Sequence, residues 1–247
     1  MALAVSLIVA CGDPGGHIDE ARERAPRALP ATGEIAFEMS GDIYLLNLDG
    51  TGVTNLTETE QVSELDPAWS PDGRRIAYVA CHECTTSDIY VMDANGTGVR
   101  RITKDSALDG KPVWSPDGSQ IAYHSDATGY WTEEDGGFVP GNENIWMVEA
   151  EGTDKHPVTK GPERDFGPTW SPDGSRLAFT SIQGSDNSSI YIIDVDGNGK
   201  TQLTEPSLWA GSAFWSPDGS TIAFDVIDLA TTTPDVYVMK ADGTGVR

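Results

Sequence analysis

Three sets of residues in this sequence have types and spacings that could support chemistry. Cys81-His82-Glu83-Cys84 is a Cys-x-x-Cys run, which suits half a zinc site, a redox pair or a small disulfide. Zinc needs two further ligands, yet the one other cysteine is Cys11, and Thr85 stands where haem attachment requires His. Asp194, Asp196 and Asn198, followed by Gly199 and then Glu205, fit the calcium-loop pattern D-x-[DN]-x-[DN]-G-x5-E. Glu64, Asp109 and Asp165 each stand five residues before a tryptophan, and Ala210 completes the series. Three carboxylates at one repeated position would focus negative potential and attract a cation or a basic peptide. Nucleophilic catalysis finds no support: there is no Gly-x-Ser-x-Gly elbow, and His17, His82, His124 and His156 stand in no triad-like context.

The elements that must position these groups are set by Trp-Ser-Pro-Asp-Gly, which begins at Trp69, Trp114, Trp170 and Trp215. Proline presets the first turn position, Asp tolerates the second, and Gly takes the left-handed conformation that follows. The apolar residues flanking such a turn predict a hairpin. Each copy leads into a short apolar run such as Arg75-Ile76-Ala77-Tyr78. A second run follows about twenty residues on, such as Asp88-Ile89-Tyr90-Val91-Met92. A Gly-rich turn and a short strand ending in Ile102-Thr103 or Leu203-Thr204 close the unit. Four strands, A to D, recurring near every 45 residues predict propeller blades. The middle strands are nearly continuous in apolar residues, as strands buried on both faces are. The fold class expected is all-β: a β-propeller of four-stranded antiparallel blades with five units visible.

This context changes how the calcium-like loop reads. The second unit has Asp93-Ala94-Asn95-Gly96-Thr97-Gly98 at the same place, with Lys104 where the bidentate Glu would stand. The loop is therefore read as a C–D turn, with calcium as the alternative, and no cofactor is otherwise expected.

Composition narrows the partners. Thirty-nine acidic against 16 basic side chains give a formal net charge of −23, so nucleic acid, which needs a basic stripe, is a poor partner. At the N-terminus, Ala2 to Ala10 is apolar and leads into Ile8-Val9-Ala10-Cys11. This resembles the lipobox of bacterial lipoproteins, although no Lys or Arg precedes the run. It is too short to span a bilayer and has signal-sequence length. The resemblance implies a signal peptide at residues 1–11, lipidation of Cys11, and an exported protein, periplasmic or at the cell surface, tethered through a 12–32 linker rich in Gly, Pro and charge. In such a chain Cys81 and Cys84 remain as a pair, and a disulfide pinning the B–C loop is preferred to a metal site.

Along residues 33–247 the first unit offers strands B, C and D without a preceding Trp motif. The fifth reaches Gly245-Val246-Arg247 before its strand D. The expectation is a propeller continuing beyond Arg247 by at least a strand pair. The third unit carries a long B–C connection from His124 to Asn144, containing Tyr130, Trp131, Glu133, Glu134, Asp135 and Phe138. Aromatics among acids suit contact with a partner.

The Trp-Ser-Pro-Asp-Gly, Ile-Ala-Tyr/Phe, Ile-Tyr-Val-Met-Asp and Asn-Gly-Thr-Gly elements together resemble the TolB-type β-propeller family over residues 33–247. That family is typically six-bladed, and TolB itself is a periplasmic protein-binding component of the Tol-Pal envelope system. Related propellers include lipoproteins and the gating domains of prolyl oligopeptidase-type peptidases. The lipobox-like start and the lack of an N-terminal α/β domain depart from TolB. The resemblance implies a non-enzymatic envelope scaffold that binds a protein or ligand on its loop face. The alternatives are a peptidase's gating propeller or a propeller lyase or hydrolase. The binding residues expected are Glu64, Asp109, Asp165, His124, Tyr130, Trp131 and Phe138. A basic segment of an envelope protein would dock at the mouth of the channel, and the membrane would be met only through the N-terminal lipid.

Overall fold

The structure is a computed structural model that describes residues 33–59, 62–82, 86–127, 130–131, 138–139, 142–184, 187–206, 208–228 and 233–247. The described residues are all-β. They fall into two compact units divided between Pro112 and Val113.

In the first unit, β1 (Glu34–Met39), β2 (Asp42–Asn47) and β3 (Thr54–Asn55) form a three-stranded antiparallel blade. The second blade is β4 (Ser63–Trp69), β5 (Arg75–His82), β6 (Thr86–Asp93) and β7 (Arg100–Arg101), in that order. The unit boundary lies inside β8 (Asp109–Trp114). The third blade continues with β9 (Gln120–Ser125), the short hairpin β10 (Tyr130–Trp131) and β11 (Phe138–Val139), then β12 (Asn144–Glu149) and β13 (His156–Pro157). The fourth is β14 (Arg164–Trp170), β15 (Arg176–Gln183), β16 (Asn187–Asp194) and β17 (Thr201–Gln202), and the fifth β18 (Ala210–Trp215), β19 (Thr221–Asp228) and β20 (Thr233–Lys240). At the end of the fifth, Arg247 and Val238 exchange a pair of backbone hydrogen bonds, where the other blades pair strand C with strand D.

The Ser-Pro-Asp-Gly turns close by their own polar atoms. In the second blade Ser70 N–H donates to Arg75 O at 2.9 Å and Gly73 N–H to Ser70 O at 2.9 Å. The Ser70 hydroxyl donates to Asp72 at 2.6 Å and accepts Arg75 N–H at 2.9 Å. Ser115–Asp117, Ser171–Asp173 and Ser216–Asp218 repeat the arrangement. The serine hydroxyl and then a backbone N–H hold the carboxyls of Asp117, Asp173 and Asp218 down at about 2, and Asp72 is lowered for the same reasons. These bonds contribute above the ordinary carboxylate range and fade as pH falls toward about 2.

Blades pack through apolar faces. Ile43 and Leu45 of β2 meet Ile76, Tyr78, Tyr90 and Met92 of the second blade. Ile145, Met147 and Val158 meet Leu177, Phe179 and Tyr191, and Ile190 and Ile192 meet Ile222, Phe224 and Met239. Aromatic residues opposite each other on strands B and C stack at 5.8 to 6.0 Å: Phe37 on Tyr44, Tyr78 on Tyr90, Phe179 on Tyr191 and Phe224 on Tyr237. Trp170 donates its indole N–H to Val113 O at 3.2 Å, and the Arg176 guanidinium lies 5.3 Å from the Trp215 ring. Both contacts join an indole at the end of strand A to a neighbouring blade.

Strand D is too short to hold its place by ladder bonds alone, and a threonine finishes it. Thr57, Thr103, Thr159 and Thr204 accept the N–H of Ile43, Ile89, Ile145 and Ile190 at 2.9 to 3.0 Å. Thr103→Val keeps the shape and strands a buried N–H, so a loss of about 2 kcal/mol is expected in urea unfolding. Thr103→Ser, which retains the hydroxyl, should lose less.

Candidate functional site

The acids expected near the channel mouth are buried side chains. Glu64 is 1% exposed, Asp109 2% and Asp165 1%, and Ala210 is fully buried in the same position. Each heads a strand A, two residues before a left-handed backbone position: Asp66 (φ 50°), Lys111 (φ 52°), Gly167 (φ 62°) and Ser212 (φ 50°). The register shifts there in β4, β14 and β18, so these are β-bulges that re-aim the start of the strand. Only one of the four is glycine. Asp66 and Lys111 pair with each other at 2.9 Å.

The acids are neutralised in different ways. Asp165 receives the Lys200 ammonium at 2.8 and 3.1 Å. That ammonium also lies 5.4 Å from the Phe179 ring centre and 5.3 Å from that of Tyr191, with Glu163 at 4.0 Å. Lys200 immediately precedes strand D. In the third blade Lys155 has that position and lies over Trp146 at 4.9 Å and Tyr123 at 5.8 Å. The second blade has Val99 there, packed against the core. Glu64 accepts the Thr59 hydroxyl at 2.8 Å, and burial, reinforced by the neighbouring Asp42, pushes its carboxyl up to about 8. Asp109 is tied through its backbone, its carbonyl accepting the Ser87 hydroxyl at 2.8 Å.

The remaining candidates are dispersed. His124 lies in β9 opposite Ile145. Tyr130 and Trp131 pair with Val139 and Phe138 in the β10–β11 hairpin, which puts the three predicted aromatics on one structured excursion. Glu133, Glu134 and Asp135 lie outside the described residues. Cys81 is in β5 opposite Ser87. Cys84 and Cys11 are outside the described residues, and with them the expected disulfide and lipid anchor.

Asp194, Asp196 and Asn198 form the β16–β17 turn. Asp194 N–H donates to Asn198 O at 3.0 Å, and Asp196 accepts both the backbone and the amide N–H of Asn198. Glu205 lies past strand D, where its carbonyl accepts Leu208 N–H. The turns after Asp93 and Lys240 close in the same way. Among the described residues, no group of three or more His, Cys, Asp or Glu side chains is placed to hold a metal. No helix among them is long and apolar enough to cross a membrane.

Sequence reasoning missed Lys200, Arg101, Asp42 and Asp88. Arg101 pairs with the fully buried Asp88 at 2.6 Å. Their signal was positional: the two residues flanking the start of strand D, read against the acid near the start of strand C, Asp42 or Asp88.

Residues 25–132 and 137–247 each match the TolB beta propeller domain family. The chain belongs to that family. The TolB homolog of Chlorobium luteolum is 29% identical over 144 residues, which are 58% of this chain and 29% of that protein. TolB from Acinetobacter baumannii superposes with a TM-score of 0.68 at 25% identity, over 85% of this chain and 49% of that one. A candidate TolB from Agrobacterium tumefaciens gives 0.70 at 24% identity, over 87% and 75%, a likeness of fold. This TolB-family propeller thus spans under a third of its curated relative and about half of the Acinetobacter chain.

Proposed function

We propose that this TolB-family propeller is a non-enzymatic binding scaffold of the bacterial cell envelope, acting outside the cytoplasm, and that its B–C and D–A connections take a protein partner with a basic segment. The observation that carries this reading is how fully the repeated motif residues are spent on structure. The Ser-Pro-Asp-Gly turns and the strand-D threonines satisfy backbone groups, and the acids at the strand heads are enclosed. Variation falls instead on the connections at the opposite end of each blade, chiefly the excursion bearing Tyr130, Trp131 and Phe138. Glu133, Glu134 and Asp135 add charge there, in a chain of net charge −23. Rigid β elements that present variable loops are a common way to build a recognition face, and aromatic anchors within an acidic rim suit a basic, partly apolar segment.

The test is affinity capture from envelope extract, using residues 33–247 of the chain at low and high salt. A captured partner should bind about tenfold more weakly in roughly 0.5 M than in 0.05 M salt. Replacing residues 129–141 by a short Gly-Ser link should abolish capture while leaving the melting temperature within a few degrees. A partner whose binding ignores both changes would place recognition elsewhere.

A further inference from the structure

Each junction between consecutive blades joins the head of one strand C to the head of the next strand A. Glu64 N–H donates to Gly41 O at 2.7 Å beside Asp42, and Asp165 N–H donates to Glu143 O at 2.8 Å beside Asn144. The Ser87 hydroxyl donates to Asp109 O beside Asp88. The paired head residues are therefore Asp42 with Glu64, Asp88 with Asp109, and Asn144 with Asp165; by position in the repeat, Ser189 and Ala210 correspond to them.

Their charges are handled in four ways. Asp88, beside Asp109, has Arg101 at 2.6 Å. Asn144 is neutral, and Asp165 has Lys200. Ser189 and Ala210 carry no charge. The Asp42–Glu64 junction has two carboxyls and neither cation. Asn55 stands where Arg101 stands one blade on, and it donates to Asp42 at 2.7 Å without bringing charge. Val99 stands where Lys200 does.

The groups facing Glu64 complete the account. From β2 there is Asp42, and from the connection to β4 the hydroxyls of Thr57 and Thr59. From β5 comes the Tyr78 phenol, with Tyr90 of β6 stacked on it. Lys111 is engaged by Asp66, whose N–H is accepted by Glu38 of β1 at 3.3 Å. Glu64 Oε2 is buried and has no hydrogen-bond partner. The Thr59 hydroxyl, with a single proton, lies within reach of both Glu64 Oε1 at 2.8 Å and Val62 O at 3.2 Å. Glu64, 1% exposed, has the carboxylate of Asp42 beside it and no cation, and a carboxyl so placed holds its proton above its ordinary range.

We propose that the Asp42–Glu64 pair is a proton-held latch between the first and second blades. With one proton on the pair, the residue 57–59 segment stays closed over Glu64. Loss of the proton leaves a buried carboxylate, and that segment and the first blade release to hydrate it. Burial holds the Glu64 carboxyl up at about 8, and the sign follows. Above the ordinary carboxylate range the folded state binds one more proton than the unfolded state. This contribution to stability is therefore full at acid pH and declines as pH rises toward about 8.

The experiment is hydrogen exchange on residues 33–247, comparing protection of the first blade with that of the fourth, corrected for intrinsic rates. First-blade protection should fall about tenfold between pH 7 and 9 relative to the fourth blade. Glu64→Gln, whose amide can donate to Asp42 as the acid does, should abolish that fall. Val99→Lys, which supplies the cation Lys200 provides in the fourth blade, should also flatten it. Should both variants fail to fold, infrared spectroscopy of the wild type decides, since a protonated buried carboxyl band must be present at pH 7 and vanish on alkalinisation. Absence of that band, or an equal loss of protection in Glu64→Gln, overturns the proposal. So would a divalent cation that restores protection at pH 9, which would make the pair a metal site.

Discussion

Lys200→Met should cost about 3 kcal/mol in urea unfolding, because it leaves Asp165 charged and enclosed without its partner. Asp165 is 1% exposed, and its carboxylate draws two contacts from Lys200 at 2.8 and 3.1 Å. The lysine side chain is itself 26% exposed, so part of its charge is hydrated, which places the loss at the lower end of the range for breaking buried pairs. Methionine retains much of the stem's contact with Phe179 and Tyr191 but gives up the attraction of the ammonium to both rings, worth about 1 kcal/mol. The double variant Asp165→Asn with Lys200→Met should recover most of the loss, since an amide in that position costs far less to bury than an ion. If the single and double variants are equally unstable, the lysine acts through packing and the electrostatic account of the strand heads fails.

The strand heads also show what the sequence could and could not convey. The four Trp-Ser-Pro-Asp-Gly turns, the apolar strands B and C and the C–D turns are local, and each is specified within about ten residues. They were legible because Pro, Asp and Gly report backbone geometry directly. The bulges were not, because Asp66, Lys111 and Ser212 take positive φ without being glycine, and only Gly167 carries the usual signal. The acids at the strand heads were legible as a repeated position but not in their burial. The enclosure of Glu64, Asp109 and Asp165 comes with a neighbouring blade joined at Gly41, Ser87 or Glu143. Such pairings span more than twenty residues, beyond any local pattern. The strand-D threonines lie between these cases: Thr57, Thr103, Thr159 and Thr204 recur visibly, each 14 residues after the isoleucine whose N–H it accepts.

Gly197→Ala should be as costly as losing Lys200, about 3 kcal/mol, although the residue lies in a surface turn. Two separate penalties combine there. Gly197 has φ +84°, where a β-carbon costs about 1 kcal/mol or more. A β-carbon on it would also sit 2.9 Å from Val158 O, a backbone atom at the end of the preceding blade's strand D. That carbonyl cannot swing away as a side chain would, because Val158 N–H is bonded to Ile145 O at 2.8 Å and Thr159 caps the same strand. The arrangement recurs: a β-carbon on Gly96 would sit 3.0 Å from Leu56 O, and one on Gly243 3.1 Å from Leu203 O. The C–D glycines are therefore points where one blade seats against the strand D before it. Gly73 supplies the control. It has φ +67°, and a β-carbon on it would meet nothing within 4 Å. Gly73→Ala therefore carries the backbone penalty alone, about 1 kcal/mol, offset in part by the lower entropy of the unfolded chain. Unfolding free energies from urea titration of the two variants should differ by the steric share, about 2 kcal/mol, with midpoints displaced accordingly. Equal midpoints would mean that the blades shift freely enough to absorb a methyl group, and the seating role of these glycines would be lost.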